Sequence, residues 1–258
     1  MLSKNFLIRI DFKLFQSLLI KIYRQYHYKK FFASKIQYRI EINYNKQVNY
    51  LDTLAAKYGT NKGGYGQVLR GSEYFTSLTY TYYYDLLFRD IRHSIKKVFE
   101  CGIGTNNINL PSNMGENGKP GASLLMWKDY FPNADIYGAD IDRSILFSEN
   151  RLKTYFIDQS KADSVVDFWH TVGETEFDLI IDDGLHRFEA GRTLFLNSIE
   201  KLAKSGVYII EDVTHDNLIK YFRFFSDGKY TVNYIKFYSP QTKPGQDSNN
   251  NIIEIRKS

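Results

Sequence analysis

The chain has 258 residues, 43% hydrophobic and 24% charged, with a net charge of +5. That is enough apolar content for a proper core, which sets disorder aside, and enough length for one large domain with an appendage. One cysteine, Cys101, excludes an intramolecular disulfide, and no CxxC or CxxH pair is present to hold zinc.

The charge is uneven along the chain. Residues 1–50 carry ten Lys/Arg against Asp11 and Glu41, so the remainder is net negative. A basic arm on an acidic body suggests docking of the arm to something anionic, and the body does not look like a nucleic-acid reader. Within the arm, Phe6, Leu7, Ile10, Leu14, Leu18, Leu19, Ile22 and Tyr26 recur at three- and four-residue steps, which predicts a helix over 1–32. Charges interrupt that run too early for a signal peptide or a membrane span. Packing on the body or across a homo-oligomer is the favoured use of its apolar stripe; docking to a membrane surface or a partner is the alternative. The domain reading is therefore an arm over 1–50 and a body over 51–258, cytoplasmic or peripheral to a membrane.

Next comes a helix near 51–58 and a flexible turn, Gly59-Thr60-Asn61-Lys62-Gly63-Gly64. A tyrosine-rich helix over 80–92 follows and reads as packing surface. From Lys97 onward strands and helices alternate. Strands are expected near 97–101, 135–140, 153–157, 177–182 and 206–210, with antiparallel candidates at 229–237 and 251–256. Helices are expected near 122–130, 144–150, 162–170, 188–203 and 216–225. The pattern predicts an α/β fold: a doubly wound, mostly parallel Rossmann-like sheet with a C-terminal antiparallel hairpin and an N-terminal helical arm. Pro111 to Pro120 is an irregular loop.

Two apolar runs end abruptly at carboxylates: Phe177-Asp178-Leu179-Ile180-Ile181-Asp182-Asp183-Gly184-Leu185-His186, and Gly206-Val207-Tyr208-Ile209-Ile210-Glu211-Asp212. Each suits a strand buried on both faces, and the carboxyl ends of parallel strands face the ligand crevice. Asp183, Glu211 and Asp212 then converge on one rim beside His186. Hard oxygen ligands next to an imidazole suit a divalent metal and a general base. His27, His93 and His170 fall on predicted helices and read as structural; His215 reads as an exposed loop residue.

Earlier strands supply the other half of the crevice. Val98-Phe99-Glu100-Cys101-Gly102-Ile103-Gly104 is a strand entering a glycine turn, although the third glycine of a dinucleotide fingerprint is missing. Ile136-Tyr137-Gly138-Ala139-Asp140 ends in an acid suited to a ribose diol, and Tyr155-Phe156-Ile157-Asp158-Gln159 ends in groups able to read an adenine edge.

In this order the motifs resemble those of class I S-adenosylmethionine-dependent methyltransferases over about residues 95–215. The resemblance implies a cofactor site of Glu100, Gly102, Gly104, Asp140, Asp158, Gln159 and Asp182. Gly59-Thr60-Asn61-Lys62, Phe99-Glu100-Cys101-Gly102-Ile103-Gly104, Gly121-Ala122-Ser123-Leu124, Asp129-Tyr130-Phe131-Pro132-Asn133-Ala134, Asp182-Asp183-Gly184-Leu185-His186 and Ile210-Glu211-Asp212 narrow the resemblance to the metal-dependent sugar O-methyltransferases of the macrolide type. That narrower resemblance implies Mg2+ (or Mn2+) held by Asp183, Glu211 and Asp212, His186 as the base, Asp183 also at the catalytic centre, and a sugar hydroxyl as acceptor. The sugar would be nucleotide-activated or a glycan precursor, in surface-polysaccharide or natural-product assembly. Two departures stand out: Asn61 replaces the family's acid after Gly-Thr, and loop 105–120 has its own sequence. The alternatives are a cephalosporin-hydroxylase-like enzyme with a non-sugar acceptor, a nicotinamide oxidoreductase, and a noncatalytic scaffold.

Overall fold

The structure, a computed structural model, describes residues 39–43, 48–63, 67–70, 73–76, 80–238 and 251–258. The chain divides into two units, residues 1–39 and 40–258. Except for Arg39, everything described belongs to the second. The helix expected over 1–32, and most of the predicted arm with it, lies outside the described residues.

In chain order the described elements are β1 (Arg39–Asn43), α1 (Tyr50–Tyr58), β2 (Gln67–Arg70), β3 (Glu73–Thr76), α2 (Tyr80–Phe88), β4 (Lys97–Cys101) and α3 (Ala122–Tyr130). Then come β5 (Asp135–Asp140), β6 (Ser148–Glu149), β7 (Leu152–Phe156), α4 (Ala162–Val172), β8 (Phe177–Asp182) and α5 (Phe188–Ser198). The last are β9 (Leu202–Ile210), α6 (His215–Phe224), β10 (Tyr230–Tyr238) and β11 (Asn251–Lys257). One sheet runs β1-β10-β11-β9-β8-β4-β5-β7-β6, and β2 pairs with β3 apart from it. The central pairs β9–β8, β8–β4, β4–β5 and β5–β7 are parallel, while β10 and β11 form an antiparallel hairpin against β9. This is the doubly wound, Rossmann-like sheet that the alternation predicts.

The central strands are buried on both faces, which explains their continuous apolar runs. On one face Val98, Leu179, Ile181 and Ile209 join a core with Leu51 and Leu54 of α1, Tyr84 and Phe88 of α2, and Trp127 of α3. On the other, Phe99 stacks on Phe168 of α4 at 4.8 Å between ring centroids, with Trp169 and Phe177 edge-on. Helix α1 starts in a capping box: the Asn49 side chain accepts from the Asp52 amide at 2.7 Å, and the Asn49 amide donates to the Asp52 carboxylate at 3.3 Å. Among the described residues no helix is long and apolar enough to cross a membrane.

Three expectations need correction. The helix expected over 144–150 is a single 3-10 turn, Arg143–Ile145, followed by the short strand β6. The Asp142 carboxylate caps the turn by accepting from the Ser144 amide at 2.9 Å. The Phe147 amide then donates to the Thr154 hydroxyl, holding the chain extended beside β7 instead of coiled. The helix expected over 188–203 stops at Ser198, and a 3-10 turn leads into a strand β9 longer than expected. The tyrosine-rich helix ends at Phe88.

Candidate active site

Strand register sets the site. Cys101 of β4 lies opposite Asp182 of β8, and Asp182 opposite Ile210 of β9. The three strands therefore end level, and the chain after each enters one crevice, as expected for an open parallel sheet. Backbone bonds continue past the strand ends: Asp183 N donates to Cys101 O and Glu211 N to Asp182 O, both at 2.9 Å. Gly102 takes φ +87°, and a Cβ there would stand 2.2 Å from the Asp183 carbonyl oxygen. Only glycine lets the Asp183–His186 loop lie directly on the turn after β4.

Asp183, His186 and Asp212 meet on one wall of a cleft of about 580 Å3. They offer ligand atoms that lie within 4.8 Å of one another. His186 Nε2 is 3.3 Å from Asp183 Oδ1, and Nδ1 is 3.8 Å from Asp212 Oδ2. Nε2 is buried and near Asp183 without hydrogen-bond geometry to it. Burial alone would lower the imidazole pKa, but Asp183 and then Asp212 outweigh it and push it up to about 9. His186 and Asp212 both sit at positive φ, 55° and 51°, unfavourable for side chains with a Cβ. The His186 carbonyl is held by the Asn217 side-chain amide at 2.9 Å.

Behind this wall lies a lysine to which the sequence reading assigned no role. Lys62 is 2% exposed, and its Nζ reaches Glu211 Oε2 at 2.5 Å, Asp183 Oδ2 at 2.7 Å and Glu100 Oε1 at 3.2 Å. Burial would lower its pKa, but the charges of Asp183, Glu100 and Glu211 hold the ammonium well above the usual lysine range. Two tyrosines of α2 complete the cluster: Tyr84 OH donates to Glu211 Oε1 at 2.5 Å, and Tyr80 OH to Asp212 Oδ1 at 2.7 Å. Both tyrosines are packing residues, as expected, and also hydrogen-bond donors to the acids. The i, i+4 spacing of the two tyrosines was the one signal in the sequence that could have revealed part of this; the pairing of Lys62 with three acids left none.

The expected metal acids thus divide. Asp183 and Asp212 face the cleft with His186, whereas Glu211 is 1% exposed, with one oxygen on Lys62 and the other on Tyr84. Burial, with Asp183 and Glu100 nearby, raises the Glu211 pKa against the pull of Lys62.

The expected cofactor residues divide in the same way. Gly102, Gly104, Asp140, Asp158 and Gln159 line the cleft; Glu100 and Asp182 do not. Glu100 is fully buried, with Trp127 Nε1 donating to Oε2 at 2.7 Å and Lys62 on the other oxygen. Asp140 accepts from the amides of Ile103 at 2.9 Å and Asp142 at 3.0 Å, and so ties the glycine turn to the end of β5. Asp158 accepts from the Ser160 hydroxyl at 2.6 Å and pairs with Lys161. Gln159 Nε2 donates to Asp182 Oδ1 at 2.6 Å, and its Oε1 accepts from the Leu185 amide at 2.7 Å. That amide faces the loop carrying Asp183 and His186, not open cleft.

No protein-family model matches the chain. It is 35% identical over 165 residues to L-olivosyl-oleandolide 3-O-methyltransferase of Streptomyces antibioticus, covering 63% of this chain and 36% of that protein. It is 34% identical over 163 residues to mycinamicin VI 2''-O-methyltransferase of Micromonospora griseorubida, again covering 63% and 36%. The chain therefore spans about a third of the length of these curated relatives. Among solved structures it is similar to the MycE methyltransferase of the mycinamycin biosynthetic pathway in complex with Mg and SAH. That match has a TM-score of 0.58 and 25% identity, covering 83% of this chain and 56% of that one. The chain has a Rossmann-like methyltransferase fold, and the curated proteins it is similar to are sugar O-methyltransferases.

Proposed function

We propose that the chain transfers a methyl group from S-adenosylmethionine to a sugar hydroxyl with the help of Mg2+ or Mn2+. The observation that carries this is a single cleft lined both by Gly102, Gly104, Asp140 and Asp158 and by Asp183, His186 and Asp212. Similarity to sugar O-methyltransferases supports the same chemistry.

The residues present fit both groups. Asp183 Oδ1 and Asp212 Oδ2 are hard oxygen donors, and their convergence beside buried His186 Nε2 suits a small divalent cation. A cleft of about 580 Å3 has room for a nucleoside-sized ligand together with an acceptor. Exposed Ile141, just past Asp140, offers an apolar surface on its wall. When bound, S-adenosylmethionine supplies an electrophilic methyl group, and the cation lowers the pKa of an acceptor hydroxyl that is far too high for imidazole alone.

The chain's own part is placement and proton removal. Asp183 and Asp212 would hold the cation, and His186 would take the hydroxyl proton. Tyr80 fixes the Asp212 carboxylate and Lys62 fixes that of Asp183, so neither acid needs to reorganise when the site fills. Asp140 would serve the ribose and Asp158 the far end of the nucleoside. The acceptor in this reading is a nucleotide-activated or glycan-precursor sugar, or the sugar of a glycosylated natural product. A cytoplasmic setting fits such soluble substrates, and the basic N-terminal segment is the candidate for homo-oligomer or peripheral membrane contacts.

The test is a screen of nucleotide sugars and glycosylated macrolides with methyl-labelled S-adenosylmethionine, with Mg2+ and with excess chelator. Label should reach a sugar oxygen only with the cation present, and His186→Ala should lower turnover by roughly 10²–10⁴-fold. Full activity in chelator would remove the cation from the reading, and binding of NAD in place of S-adenosylmethionine would replace the reaction class.

A further inference from the structure

The loop from Asp182 to His186 carries the groups facing the acceptor, yet its geometry is unfavourable by itself. His186 is at positive φ, and the loop crosses Gly102 with no room for a Cβ beneath the Asp183 carbonyl. Something must hold it, and Gln159 is placed to do so. Its side chain, three residues past the end of β7, is 7% exposed and lines the cleft. One end of the amide donates to Asp182 Oδ1 at 2.6 Å, before Asp183, and the other accepts from Leu185 N at 2.7 Å, just before His186. The two bonds bracket the loop.

Packing supports the same role independently. A Cβ on Gly184 would stand 2.0 Å from Gln159 Oε1, so the loop backbone lies against the amide as closely as glycine permits. Asp182 also accepts from the Gly184 amide at 3.4 Å, which closes the small ring of bonds. A glutamine placed to read a base would keep its amide toward open cleft. Both functional ends here are bound within the chain.

We infer that Gln159 is a positioning residue: it clamps the Asp182–His186 loop so that Asp183 and His186 face the cleft at the level of Asp212. The inference rests on the proposed reading of that cleft as a methyl-transfer site with a divalent cation. It moves Gln159 from the cofactor's recognition set to the support of the reacting groups. Because the amide sits at the adenine end of the cleft and grips the other wall, it joins the two halves of the site directly.

The test uses the full chain with Gln159→Met, which matches the length of the side chain and removes both bonds. Affinity for SAH and for Mn2+ is measured by calorimetry, with the thermal midpoint as a control. A clamp gives SAH affinity within about threefold of wild type and Mn2+ affinity at least tenfold weaker, because Asp183 loses its placement. Gly184→Ala, which drives a methyl group into Gln159 Oε1 while leaving the amide intact, should give the same signature if Gln159→Met fails to fold. SAH weakened tenfold with Mn2+ unchanged would overturn the inference and return Gln159 to base recognition. Both affinities unchanged, or both lowered together with the thermal midpoint, would overturn it as well. Wild-type protein that binds neither probe would refute the reading of the site itself, a distinct result from failure of the clamp.

Discussion

Asp183 is the most heavily engaged residue of the site. One oxygen is on Lys62 at 2.7 Å and the other faces His186 at 3.3 Å, while its carbonyl lies over Gly102. Its neighbours sort by which oxygens they leave free, and that ordering is measurable. Asp183→Asn and Asp212→Asn should each weaken Mn2+ binding by at least tenfold in calorimetric titration. Glu211→Gln should cost less, since both of its oxygens are engaged by Lys62 and Tyr84. A loss for Glu211→Gln as large as for Asp183→Asn would make Glu211 a direct ligand. His186 gives a prediction linked to pH. In the cation-free protein its pKa lies at about 9, above the ordinary value of 6.5, so the stabilisation from its charged form is complete below about pH 6.5 and lost as pH rises through 9. A cation between Asp183 and Asp212 opposes that charge. Binding of Mn2+ near pH 7.5 should therefore release close to one proton, read from calorimetric enthalpies in buffers of different ionisation heat. No buffer dependence would show that His186 is already neutral there.

At the scale of elements, the site is assembled from the ends of β4, β8 and β9 and closed from behind by α2 and the turn at Thr60–Gly63. The strand ends were legible because each apolar run stops at an acid or a glycine, and parallel register makes such stops coincide. The turn was not legible. Nothing local in Gly59-Thr60-Asn61-Lys62 says that its lysine will be buried among carboxylates more than 35 residues away, because charge pairing across a fold leaves no periodic trace. Helix α2 was half legible: burial of Tyr80 and Tyr84 follows from spacing, but the direction of their hydroxyls does not. The misread segment 144–150 shows the same limit, since side chains of Asp142 and Thr154 overrode its helical pattern. Lys62→Met removes a cation shared by Glu100, Asp183 and Glu211, and with it the charge that offsets the burial of Glu100 and Glu211. Breaking a buried pair from one side costs about 3–5 kcal/mol, so the denaturation midpoint should fall well below wild type. Tyr82→Ser, at a residue of α2 that is 39% exposed, should shift it little. Equal midpoints for Lys62→Met and wild type would mean that the acids take up protons at no cost.

For the molecule as a whole, the sheet turns a linear order of motifs into the lining of one cleft. The glycine turn, Asp140 and Asp158 come from the ends of β4, β5 and β7 or just past them, and Asp183, His186 and Asp212 follow β8 and β9. That division was readable from the sequence, and so was the sheet. What the sequence could not supply was which acids face the cleft and which stand behind it, since Glu211 and Asp212 are adjacent in the chain yet point to different partners. A crystal structure of the protein grown with SAH and Mn2+ tests the central claim most directly, because manganese marks its own position by anomalous scattering. The expected result is one manganese peak bonded to Asp183 and Asp212 beside His186, with SAH lying along Gly102, Gly104 and Asp140. Manganese elsewhere, or SAH outside that cleft, would contradict the assignment of the site.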